Sequence, residues 1–169
     1  MTQLARFQKR IYDMIPLSEA LGVELVSYDG HALLVSAPLA SNHNHQGTGF
    51  GGSVYSVAVI SAWGLVELVL TDLGLAGKVV IQVGEIEHIE PVDTNFFALC
   101  RLPGGEVPDR FRKSLARHGK GRLSLIAEVY CGEPTTEPVR EPVAVFQGRF
   151  VVQGAHSRSG IQVAFPAAA

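Results

Sequence analysis

Cysteine is scarce in this sequence and charge is thin. Cys100 and Cys131 are its only two cysteines; each sits in an apolar run, and no C-x-x-C spacing joins them. A chain of 169 residues buries a core without a covalent staple, so both are read as buried free thiols. Charged side chains make up 18%, with 14 Lys and Arg against 16 Asp and Glu, a net charge of −2. Coating nucleic acid requires a basic surplus, and the whole chain has none. The N-terminus lacks a continuous apolar h-region and a small-residue cleavage site, which argues for a cytoplasmic protein rather than a secreted one. No G-x-S-x-G elbow is present, and His43 and His45 have no third ligand at suitable spacing, so neither metal nor other cofactor is expected. Repeats and linkers are also missing. One domain over residues 1–169 is the expectation.

What is abundant is apolar. Hydrophobic residues make up 47% and the mean hydropathy is +0.21, which excludes a disordered chain. Leu4, Phe7, Ile11, Met14 and Ile15 recur at helical spacing, so residues 2–15 are expected to form an amphipathic helix lying on a core. The core follows over about 16–153, beginning with a short helical turn from Pro16 to Gly22. Asp29-Gly30 then joins two strands, 23–28 and 31–39, in a hairpin. Residues 53 to about 72 are almost entirely apolar, broken only by Glu67 and small residues. Flanked by a glycine-rich loop and by Thr71-Asp72 with no basic cluster, this segment reads as a buried central helix ended by Gly74 and Gly77, not a membrane span. Strands are expected at 78–90, 96–102, 122–131 and 143–153, and a fraying tail at 155–169. In the strand at 122–131, apolar and polar residues alternate, with Ile126 the exception. The sum is an α+β chain: an antiparallel sheet of about six strands curled round one long helix, a hotdog architecture.

The loop before that helix carries the most specific signal. It reads Asn42-x-Asn44-x-x-Gly47-Thr48-x-Phe50-Gly51-Gly52-Ser53-x-Tyr55, with Trp63-Gly64 following in the helix and Glu85-Ile86-Glu87-His88-Ile89-Glu90-Pro91-Val92 further on. These segments resemble the thioesterase domain at the C-terminus of YiiD-type bacterial proteins, part of the hotdog thioesterase superfamily. The resemblance covers roughly residues 16–152. It implies a homodimer, possible pairing of dimers, and acyl-thioester pockets at the subunit interface near the helix N-termini. Related thioesterases carry a His-Gly-Gly turn, an Asn just upstream and a helical acid. Here Phe50 stands in place of that His, the acid's place falls near Val59, and His88 occupies a position usually held by Tyr.

The residues give a compatible chemistry. Ser53 is a plausible helix cap, and Gly51 and Gly52 leave backbone amides open to a substrate oxygen at the positive end of the helix dipole. Fixed donors there would hold the oxyanion formed during thioester hydrolysis. Asn44 is a candidate for orienting the attacking water, with Asn42, Thr48, Phe50, Ser53 and Tyr55 around the substrate. For the base, the loop offers His43 and His45. Glu67 lies about 21 Å along the helix from Ser53, too far to share its own helix's start; it either reaches an antiparallel partner helix's start as a catalytic acid or pairs with a charge at the helix end. Val57, Ile60 and Trp63 are candidates to line an acyl pocket. Over 106–122 there are six cations against two acids, on an amphipathic helix whose Arg117 and Lys120 fit the phosphates of coenzyme A. Three readings follow: hydrolysis of acyl-CoA or acyl-carrier protein, non-catalytic acyl-CoA binding, and hydration or dehydration at carbon. Neither nucleic acid nor membrane is an expected partner.

Overall fold

The structure is a computed structural model, and it describes residues 2–158. Helix α1, Gln3–Met14, starts where the Thr2 hydroxyl accepts from the Ala5 amide at 3.2 Å, and it buries Phe7 and Ile11. Helix α2, Pro16–Ala20, begins on its proline. Strands β1, Glu24–Tyr28, and β2, Ala32–Ala37, form the expected hairpin. Its turn is held by the Asp29 carboxylate, which accepts from the His31 and Ala32 amides at 2.8 and 2.7 Å; those bonds hold its pKa below the usual value. After a 3-10 turn at Leu39–Ser41 come α3, Gly51–Asp72, β3, Leu75–His88, β4, Phe96–Arg101, α4, Val107–His118, β5, Gly121–Cys131, and β6, Ala144–Ser157.

All pairings are antiparallel, and the sheet runs β1-β2-β4-β5-β6-β3. In β5, Leu123, Leu125, Ala127 and Val129 point inward and are buried, while Ile126 stands 53% exposed on the outer face. Phe146 and Phe150 of β6 meet α3 from the same side, and Tyr55 of α3 sets its ring edge-on to Phe146 at 5.5 Å. The expected hotdog is therefore present: a curled six-stranded sheet with a long apolar helix in its hollow.

Several details differ from the expectation. α3 starts at Gly51, so Phe50 takes the capping position and Ser53 is a buried residue inside the first turn. Gly74, at φ +67°, closes α3, but Gly77 belongs to β3, beside a bulge between Ala76 and Lys78. β6 runs on to Ser157, past the point where a tail was expected; residues 159–169 of that tail lie outside the described chain. Cys100 is buried, whereas Cys131 is only partly so. Cys131 pairs across from Phe96 and Cys100 from Ala127, so the register keeps the two thiols apart.

The largest correction concerns α3 itself. It is not dry all round. Gly52, Tyr55, Ser56, Val59, Trp63, Glu67 and Thr71 trace one partly open stripe at helical spacing. α1 lies over the second half of that stripe, stacking Phe7 on Trp63 at 5.9 Å and pairing Arg10 with Glu67 at 2.9 Å. The first half faces outward beside β3, an edge strand of 14 residues that exposes Val80, Ile81 and Val83.

Candidate active site

The loop entering α3 is knitted by its own side chains. Asn44 accepts from the Gln46 amide at 2.8 Å and the Thr48 amide at 3.3 Å, and its Nδ2 donates to Thr48 Oγ1 at 3.0 Å. A backbone bond from the Asn44 amide to the Thr48 carbonyl at 2.7 Å closes the same turn. Asn44 and Thr48 therefore shape the loop rather than face outward with free polar groups. Asn42 is 1% exposed, and its Nδ2 donates to the carbonyls of Leu21 and Pro38, both at 2.7 Å. That burial takes Asn42 out of reach of a substrate; it anchors the loop to the body. Gly49 completes the anchor, its amide donating to the Val92 carbonyl at 2.7 Å; a Cβ there would stand 2.8 Å from that of Val92.

This anchoring delivers Gly51 and Gly52 to the helix start. The first bond of the helix runs from the Val54 amide to the Phe50 carbonyl at 3.0 Å, and among the described residues no side chain caps the end. The amides of Gly51, Gly52 and Ser53 precede that bond, so no carbonyl one turn back receives them. Phe50, 56% exposed, folds its ring over Gly52, where a Cβ would lie 2.6 Å from the ring. Across from Gly51 stands His88, at the last position of β3. Its Nε2 is 3.4 Å from where a Cβ on Gly51 would be. An exposed imidazole thus lies against an uncapped helix N-terminus.

The other candidates are dispersed. His43 is exposed, its Nδ1 3.0 Å from the Asn44 carbonyl, and His45 is exposed on the same loop. Tyr55 points its hydroxyl at Gly84 of β3, on the wall between α3 and the edge strand. Val57 and Ile60 are buried in the core, so the wall near the site is made instead by Tyr55 and Val59, with Trp63 beyond. Glu67 sits under α1, bonded to Arg10; burial raises its carboxyl pKa more than Arg10 lowers it. Arg117 is in the last turn of α4 and Lys120 immediately precedes β5, whose first residue, Gly121, pairs with Val152, and Val152 with Val79. From Val79 to His88 is nine residues of β3, roughly 30 Å at about 3.3 Å per residue. Within one chain the cations and the glycines are at opposite ends of the sheet.

Sequence reasoning noted His88 only as a departure from a family pattern and did not place it in the site. Among Glu85, Glu87 and Glu90 no local signal singled it out; its contact with Gly51 depends on how β3 lies against α3.

The family described as "Putative thioesterase (yiiD_Cterm)" matches residues 4–154 of the chain. A protein of unknown function from Chlorobaculum tepidum is 34% identical, with a TM-score of 0.82 over 88% of this chain and 93% of that one. A protein from Shewanella oneidensis, titled a putative thioesterase, is 28% identical, with a TM-score of 0.73 over 89% of this chain and 96% of that one. A thioesterase from Haemophilus influenzae shares the fold at 14% identity, with a TM-score of 0.67 over 91% of this chain and 93% of that one.

Proposed function

Since the chain belongs to this YiiD C-terminal thioesterase family, we propose that it hydrolyses acyl thioesters, of coenzyme A or of acyl-carrier protein, at the N-terminus of α3. The observation that carries this reading is the uncapped helix start, Gly51 to Ser53, with the His88 imidazole set against it. Attack by water on the thioester carbonyl puts negative charge on its oxygen. Helix-end amides meet that charge with fixed donors and the positive end of the dipole, and one such donor lowers the barrier by about 3–4 kcal/mol. His88 takes a proton from the water as its oxygen bonds to the carbonyl carbon. It returns the proton to sulfur as the C–S bond breaks, releasing a carboxylic acid and a thiol. Asn44 and Asn42 act by holding the loop, and Glu67 by holding α1.

The reading includes a homodimer. A 14-residue edge strand with exposed valine and isoleucine, beside a half-open helix, is a surface that a second copy would cover. Antiparallel pairing of two β3 edges would set the Leu75 end of one chain beside the His88 end of the other.

The test is thiol release from a panel of acyl-CoA substrates. Steady turnover is expected, with His88→Gln lowering kcat at least tenfold and leaving the melting temperature near that of the parent. Asn44→Ala is expected to lower activity at least tenfold through the loop. Absence of turnover over all chain lengths and aryl groups would overturn the hydrolase reading. One observation favours a second reading, a non-catalytic acyl-CoA binder: Phe50 lies over Gly52, at the place where the family resemblance leads one to expect a His. Its mark would be saturable binding that raises the melting temperature without thiol release.

A further inference from the structure

Helix α4 lies along the start of β5, burying Phe111 and Leu115 against Gly121, where a Cβ would come within 2.7 Å of the Phe111 ring. It ends at Gly119 in the left-handed region, at φ +60°, and the chain turns straight into the strand. Ser114 Oγ donates to the Lys120 carbonyl at 2.7 Å and fixes that turn. Between α4 and the β5-β6 pair this leaves a groove of about 760 Å³. Arg110, His118, Lys120 and Arg122 border it, and Val107 and Val151 contribute apolar surface. No carboxylate is among its lining residues, although Glu106 pairs with Arg110 at 2.8 Å near one end. Lys120 and Arg122 form no ion pair among the described residues. Arg117, the other cation expected to bind substrate, lies on α4 outside the lining.

We propose that this groove binds the phosphate-bearing nucleotide end of a coenzyme A thioester. The inference deepens the hydrolase reading above and rests on it for the substrate's reactive end. Cations that converge without a carboxylate among them select an anion, and arginine suits phosphate oxygens in particular. The volume lies within the usual range for small-molecule sites, and the apolar surface of Val107 and Val151 suits a planar base. An acidic carrier protein would meet a basic surface with a helix, and a concave cleft with an apolar lining favours the nucleotide. The groove is at the far end of the sheet from its own glycine loop. With two β3 edges paired, it lies toward the partner's loop, so each nucleotide end would be held by one chain and each acyl end by the other.

Two measurements on the full chain decide the matter. Adenosine 3′,5′-bisphosphate alone, titrated calorimetrically, is expected to bind saturably and more weakly as salt rises. Lys120→Ala with Arg122→Ala is expected to weaken that binding at least tenfold, with an unchanged circular dichroism spectrum. The single Arg122→Gln serves if the pair fails to fold. In kinetics, the ratio of KM for an acyl-CoA to KM for the same acyl group on N-acetylcysteamine, which lacks the nucleotide, is expected to rise at least tenfold in the variant. Nucleotide binding that is absent, or unaffected by the substitutions, overturns the proposal. So does an unchanged KM ratio, or a loss confined to acyl-carrier protein. If the parent hydrolyses neither thioester, the hydrolase reading fails while the calorimetric arm still decides this one.

Discussion

At its C-terminal end α3 is tied down by side chains from other elements, whereas at its N-terminal end no side chain caps it. Asp72 accepts from Gln3 Nε2 at 2.8 Å and from the Tyr28 hydroxyl, and Glu67 accepts from Arg10 at 2.9 Å. Burial and the bond to Asp72 push the Tyr28 phenol well above its usual pKa. Gly74 then closes the helix in a left-handed turn. At the other end the bonds stop at the loop: Asn42, Asn44 and Gly49 fasten residues 42–49, and the last fastening falls just short of the first helical amides. One apolar helix thus serves as core along most of its length and as a bare set of donors at its tip. Rigidity is put next to the site instead of in it, which is how donors stay aimed without being consumed.

The largest effect should come from removing one donor while keeping the helix. Proline is favoured at the first helical position, and Phe50, at φ −66° and ψ 126°, already has the extended backbone required before proline. Gly51→Pro is therefore expected to fold and to melt near the parent, while kcat falls about 100-fold in the acyl-CoA assay. Equal activity in a folded Gly51→Pro would mean that the open end is not the oxyanion site.

A matched pair of glycines sharpens the contrast at smaller scale. A Cβ on Gly64 would stand 2.9 Å from Leu33 Cδ2 and 3.4 Å from Phe7, and Leu33 is fully buried. Gly64→Ala is expected to cost about 1–3 kcal/mol in urea unfolding, overpacking exceeding the gain in helix propensity. On Gly52 the three nearest atoms all belong to the exposed Phe50 ring, which can swing into solvent. Gly52→Ala should change stability by less than about 0.5 kcal/mol and lower activity, because the methyl stands beside the donors. The same substitution on the same helix would then report on packing at one position and on access at the other.

Much of this was legible in local patterns. Period-two alternation placed β5, and Asp29-Gly30 placed the β1-β2 turn; an apolar run between glycines placed α3 to within two residues. The open stripe of α3 was hidden because Tyr55, Val59 and Trp63 are themselves apolar or aromatic, so hydropathy around the helix gives no phase. Asn42 and Asn44 were read by type, as polar residues beside glycines; their partners, the Leu21 carbonyl among them, are set by how the loop folds back. His88 and Gly51 meet across 37 residues of chain, and no spacing rule joins the end of a strand to the start of a helix.

Glu67 shows the same gap from the covered end and provides the smallest test. A lone carboxylate in an apolar helix invited a catalytic role, yet its partner, Arg10, lies 57 residues upstream on another helix. Burial raises its pKa above the ordinary 4.5, against the opposing pull of Arg10 and then Arg158. In the window between the ordinary and the raised value the folded chain holds more protons than the unfolded one, so at this site stability falls as pH rises through that window. The cost of the buried charge is then fully present above the raised value and absent once the solution is acid enough to protonate both states. Glu67→Gln is accordingly expected to melt slightly above the parent at neutral pH, by less than about 1 kcal/mol of stability, with the gap closing on acidification below about 4.5. A Glu67→Gln chain that melts below the parent at neutral pH, with the deficit vanishing on acidification, would mean that Arg10 outweighs burial, and that the covered end of α3 is held chiefly by the ion pair.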